Sequence, residues 1–176
     1  GSPTGHGDAI PLSTAAEIRS AVFRTGKYYL ANDIALDFQW ESNAEFVLCL
    51  NGHTLTQTRP AGSANFNPSF SFQALSSLTI CDCQKDEHGA YLGTVRTLLS
   101  GGGTQALISS NGPVTLLGGN FIMDKPKGHI NSPGQTFQII SCGSALSIYP
   151  GVVIGDSHSD NEQFLRAINI WGNNGV

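Results

Sequence analysis

An apolar–polar–apolar triplet returns four times along this chain, as Leu48-Cys49-Leu50, Leu78-Thr79-Ile80, Val114-Thr115-Leu116 and Leu146-Ser147-Ile148. The triplets start at residues 48, 78, 114 and 146, at intervals of 30, 36 and 32, and a further step of 30 lands on Val176, the last residue. A self-similar period of roughly 20–50 residues marks a stacked architecture, in which each unit buries its apolar face on the next.

The surroundings of each triplet repeat as well. Glu45–Leu50 runs into Asn51-Gly52, a strong turn signal, and His53–Thr58 then alternates with period two, as a half-buried strand does. The third unit reads Ala106-Leu107-Ile108, a turn at Asn111-Gly112-Pro113, Val114–Leu117, Gly118-Gly119, and Phe121–Asp124. The fourth echoes it with Ile139-Ile140, Leu146–Tyr149, Pro150-Gly151 and Val152–Asp156. Each unit is thus three short strands joined by tight turns, with glycine where the chain bends sharply. This pattern predicts an all-β coil of parallel strands, each bonded to its copy one unit later. Four long polar segments, Arg59–Pro68, Gln84–Gly103, Lys125–Gly134 and Ser157–Gln163, are expected after the last strand of a unit, on the side where such stacks often bind.

Ahead of the first unit the period changes. Ser13 or Thr14 is suited to cap a helix, and Glu17 three residues after Thr14 completes a capping box. A short amphipathic helix is expected over 14–24, ended by Gly26 and covering the first layer of the stack. Residues 1–12 are Gly- and Pro-rich and expected to be a loose or tag segment, with the domain proper over 13–176 and its coils over 27–176. The Gly1-Ser2 start has the form of a cloning scar, so an upstream signal is expected to have been removed.

Charged residues make up only 12%, against the usual ~25%, and Gly is abundant at 21 residues. That balance suits a turn-rich secreted or cell-surface protein. A net charge of −4 leaves no basic footprint for nucleic acid, and no run approaches the roughly 18 apolar residues that insert in a membrane.

The cysteines, at 49, 81, 83 and 142, form no C-x-x-C and no paired Cys/His spacing of a zinc site, so neither a metal nor a cofactor is expected. On the triplet alignment Cys49 neighbours Thr79, and Cys81 lies above Asn51, diagonal to Cys49. Mostly free thiols are therefore expected.

The strings Ala15–Ala21, Tyr28–Ile34 and Leu48–Leu55, followed by Leu78–Asp82 and Leu116–Ile122, resemble pectin-lyase-like right-handed β-helix modules. These modules occur in secreted and cell-wall-anchored proteins of Gram-positive bacteria, especially gut Firmicutes. The resemblance covers residues 14–176 and implies a right-handed single-stranded parallel β-helix of about four to five coils with a short N-terminal capping helix. That fold hosts lyases, glycosidases, adhesins and phage tailspikes, so function must come from a site.

Glycosidases of both stereochemical outcomes need two carboxylates, about 5–9.5 Å apart. The outward positions of the repeated strand, Cys49, Asn51, Thr79, Cys81, Thr115, Leu117, Ser147 and Tyr149, carry no acid or base. The only Gly-His-Gly, at residues 5–7, lies in the N-terminal segment and reads as chance. Asp82, Asp124 and Asp156 recur near unit exits, where each is expected to cap a turn. Asp124 and Asp156 share an offset of ten residues from their triplets and are expected to stack. The densest ionisable cluster is Asp156–Glu162, and Trp40, Tyr91, Tyr149 and Trp171 are aromatics suited to stacking on sugar rings. The candidate ligand-binding residues are therefore Asp124, Tyr149, Asp156, His158, Asp160 and Trp171.

The reading that follows is a non-catalytic extracellular module for adhesion, or for binding a glycan or protein on a host or cell-wall surface. One alternative is the N-terminal coils of a polysaccharide-active hydrolase or lyase with its catalytic coils beyond Val176; another is a structural stalk. The stack is expected to be truncated, with an open C-terminal edge that pairs with another chain.

Overall fold

A computed structural model describes residues 6–58, 70–98, 105–124, 137–156 and 165–170. Its strands, numbered along the chain, fall into three parallel sheets. The first holds β1 (Ile10–Leu12), β2 (Gly26–Leu30), β5 (Phe46–Cys49), β8 (Leu78–Cys81), β11 (Val114–Leu116) and β14 (Leu146–Ile148), in that order. The second runs β3 (Ile34–Leu36), β6 (Thr54–Thr58), β9 (Thr94–Leu98), β12 (Asn120–Asp124), β15 (Val153–Asp156). The third runs β4 (Trp40–Ser42), β7 (Phe70–Ala74), β10 (Gln105–Ser110), β13 (Phe137–Cys142), β16 (Leu165–Ile170). From β2 onward the chain visits the three sheets in turn, so every strand pairs with the one three places later. The helix α1 (Ala15–Ala21) packs on β1 and β3 at the start of the stack.

The core is a set of ladders running through the stack. In the first sheet Phe46, Leu78 and Val114 are aligned, as are Tyr28, Leu48, Ile80 and Leu116, and all are buried. In the second, Ile34, Leu55, Val95 and Phe121 align and are buried. In the third, Trp40, Phe72, Ile108 and Ile140 do the same. Trp40 is 2% exposed and meets the Phe46 ring edge-on at 5.0 Å, while Tyr28 stacks on Phe46 at 4.6 Å. Trp40 is therefore core and not a sugar platform. Alternating side chains of a strand point to opposite faces, so each ladder continues one apolar column.

The capping box is present: Thr14 Oγ1 accepts from the Glu17 amide, and the Glu17 carboxylate accepts from Thr14 N at 3.1 Å. The helix stops at Ala21, five residues before Gly26. Gly26 instead opens β2, where a Cβ would meet the Tyr28 hydroxyl at 2.8 Å. Residues 10–12, expected to be loose, form the strand β1, paired in parallel with Tyr28–Leu30. At the Asn51-Gly52 turn both residues have positive φ, 52° and 78°, and His53 N donates to Leu50 O at 2.9 Å.

Register corrects three expectations. The triplet at 48 aligns two residues too late: Phe46, not Leu48, is the partner of Leu78, so Cys81 lies directly opposite Cys49 rather than diagonal to it. Asp156 pairs with Met123, not Asp124, because the turn from β14 to β15 holds one residue more than that from β11 to β12. The polar segment 84–103 is not one insert, because it contains β9. Its first part is an excursion between β8 and β9, closed by an antiparallel bridge between Lys85 and Tyr91.

Where the stack ends, among the described residues, β14, β15 and β16 each pair on one side only. Ile148 and Ile168 stand on ladders that are buried further inside, yet are 39% and 41% exposed.

Candidate functional site

Among the described residues, the outward face of the first sheet brings together the one group of three metal-ligand-type side chains. Tyr29, Cys49 and Cys81 are consecutive rungs of one outward ladder. Leu117 and Tyr149 continue it one step past the paired residues, held by their amides on Ile80 O and Leu116 O. Cys83 follows two residues after Cys81, beyond the end of β8, and is exposed. Over this ladder lies the N-terminal segment. The His6 ring stacks on Tyr29 with centroids 4.2 Å apart and an interplanar angle of 13°. Its Nε2 stands 3.3 Å from Cys49 Sγ and 3.4 Å from Cys83 Sγ. All three ligand-type atoms lie within 4.8 Å of one another, and the four cysteines are free. Cys49 is buried although its rung faces outward.

The thiols act on one another. Cys49 faces Cys81 directly across the sheet, and its interaction with that thiol, with burial second, drives the Cys49 thiol far above its usual value. The same interaction with Cys49 lowers Cys81, so Cys81 ionises most readily of these thiols. Cys83, although exposed, is pushed up to about 11, first by partial desolvation where its sulfur lies against the cluster and then by its interaction with Cys49. Cys83 also lies 3.4 Å from Asn51 Oδ1. Nδ1 of His6 is buried with no hydrogen-bond partner among the described residues, so the stack on Tyr29 orients the ring.

Beside this cluster Asp82 organises the excursion. Its Oδ1 accepts from Gly52 N at 2.8 Å and Gln84 N at 3.2 Å, and its Oδ2 accepts from Gly93 N at 2.5 Å. One carboxylate thus ties the turn of one circuit to both ends of the excursion in the next. The expected turn-capping role holds for Asp82. Gly93 is glycine for a steric reason, since a Cβ there would meet Leu50 Cβ at 2.5 Å. The excursion then folds over the following turns. Tyr91 donates to Leu117 O at 3.2 Å and carries Lys85 Nζ 4.4 Å above its ring. Its ring also covers Gly118 and Gly151, where a Cβ would meet Tyr91 at 2.8 and 3.1 Å. Tyr91 is therefore committed to packing.

Of the residues expected to bind a ligand, His158, Asp160 and Trp171 lie outside the described residues. Tyr149 is 52% exposed on the outward ladder. Asp124 ends β12 and Asp156 ends β15. Asp156 occupies the ladder position of Leu36, Gln57, Thr97 and Met123, all four of them buried. His53 sits 3.2 Å from Asp33, whose carboxylate also accepts from Thr54 N at 2.8 Å, a turn-fixing role.

Sequence reading missed His6 as a partner of the cysteines. The signal was distributed: a tail histidine 43 residues from Cys49 and 77 from Cys83 shows no motif spacing. The C-x-C at 81–83 and the true register of Cys49 were the only local traces.

No protein-family model, curated protein or solved structure matches this chain.

Proposed function

We propose that the chain is a right-handed parallel β-helix module of a secreted or cell-surface bacterial protein, that it binds a glycan, and that its own coils are not catalytic. Pairing of every third strand supports the winding, and parallel crossover connections are right-handed in about 98% of cases. The resemblance to pectin-lyase-like modules supports the setting.

The observation that carries the binding reading is where the long connections are rooted. β6, β9, β12 and β15 are consecutive neighbours in one sheet, and each ends at one of the polar segments 59–69, 99–104, 125–136 and 157–164. The chain re-enters at the aligned starts of β7, β10, β13 and β16. Four successive polar connections leave from one corner of a rigid scaffold, the arrangement by which stacked proteins present binding loops. The outward ladders of the first sheet hold thiols, hydroxyls and apolar groups, with Lys27 the one charged rung.

A glycan array probed with the protein tests this. Binding to a defined glycan class, reduced by Asp160→Ala or Trp171→Ala, is expected. Hydrolytic or eliminative cleavage of any polysaccharide by this chain would overturn it. A second reading, the first coils of a polysaccharide-active enzyme, is favoured by the apolar rim of Ile148, Ile168 and Ile170, which stand exposed on ladders buried further inside. Such a rim suits a further coil stacked upon it.

A further inference from the structure

We propose that His6 Nε2, Cys49 Sγ and Cys83 Sγ form a site for one soft divalent cation of the zinc class, which staples the N-terminal segment to the outward face of the first sheet. Zinc–sulfur bonds of about 2.3 Å and zinc–nitrogen bonds of about 2.0 Å give tetrahedral S···N edges of about 3.5 Å. The two S···N separations here are 3.3 and 3.4 Å, so a cation at the centre requires only small side-chain adjustments. Two thiolates and an imidazole select zinc or another soft ion over magnesium or calcium.

The ligands come from separately anchored pieces. Cys49 ends β5, Cys83 follows Asp82, whose carboxylate is fixed by three amides, and His6 is held by its stack on Tyr29. Cys81, opposite Cys49 on the next strand, lies outside this group of three, so the described residues supply three ligands and leave the fourth position open. A disulfide is the competing fate of these thiols, and the register disfavours it between Cys49 and Cys81. Directly opposed residues on parallel strands carry parallel Cα–Cβ bonds about 4.8 Å apart, wider than the roughly 3.5–4.5 Å between Cβ atoms of a disulfide. The cation would cross-link residues 43 and 77 positions apart, at the end of the stack where the sheet has its first strand.

Titration of the reduced, metal-stripped protein with cobalt(II), followed by zinc, tests the site. The expected result is a thiolate-to-cobalt charge-transfer band that saturates at a single equivalent and is bleached by zinc. His6→Ala and Cys83→Ser should each weaken cobalt binding at least about tenfold, and His88→Ala, on the exposed tip of the excursion, should not change it. Absence of the band at stoichiometric cobalt would overturn the proposal, as would a band unchanged in both ligand variants. Loss of two thiols on air oxidation without any cobalt band would assign the cluster to a disulfide instead and also overturn it. The wild-type titration decides the question even where a variant fails to fold.

Discussion

Asp82 shows how much one side chain organises. It is 8% exposed and accepts from three backbone amides that belong to two successive circuits. A buried donor left unpaired costs about 1–3 kcal/mol, and of the three amides only that of Gly93 makes a fully buried bond, so Asp82→Ala should destabilise the protein by about 2–3 kcal/mol. Urea unfolding measures this, and a loss below about 1 kcal/mol would contradict the assigned role. The thiols give a second residue-scale prediction. Alkylation requires the thiolate, and Cys81 ionises below the usual 9.0 whereas Cys83 is pushed up to about 11. As pH rises from about 7, Cys81 should be labelled before Cys83, although Cys83 is the more exposed. Cys49→Ala removes the partner that holds Cys81 low and should erase that order. Peptide mass spectrometry of timed iodoacetamide labelling reads both, and Cys83 labelled first in the wild type would contradict that influence of Cys49 on Cys81.

At the scale of elements, local chemistry and stacking contribute separately. The helix α1 is short, so its cap matters: Thr14→Ala should cost about 1 kcal/mol, read by urea unfolding and by faster amide exchange over Ala15–Ala21. Turns are limited by the circuit beneath them. A Cβ on Gly112 would lie 2.4 Å from the Ser76 carbonyl oxygen, a backbone atom that cannot step aside. Gly112→Ala should therefore destabilise by about 1–3 kcal/mol in the same assay, and a neutral effect would contradict the close approach of successive turns. The capping box and the Asn51-Gly52 turn were legible because both are short-range signals. Register was less so. Phe46-Val47-Leu48 and Leu48-Cys49-Leu50 alternate alike, and a shift of two residues leaves every side chain on the same face. The inward and outward assignment therefore survived while the partners of Cys49 did not. The stacking of Asp124 on Asp156 failed for a related reason, because a turn longer by one residue shifts the register without altering the apolar pattern.

For the whole molecule, the repeated triplet carried the stack of three parallel sheets, because each apolar–polar–apolar phrase marks one rung of the same sheet. The placement of His6 over the cysteines was not legible, because it depends on a segment returning across a sheet from a distance that no motif spans. The corner where four polar connections are rooted was only partly legible: three of the four roots follow from the repeat, and the excursion that Asp82 closes hid the fourth. Native electrophoresis through gels impregnated with pectin, arabinoxylan or mucin tests the central claim most directly, since one gel reads binding and cleavage together. The account predicts that the protein is retarded in at least one gel and leaves the polysaccharide stain intact around its band. A cleared zone, or free migration in every gel, would contradict it.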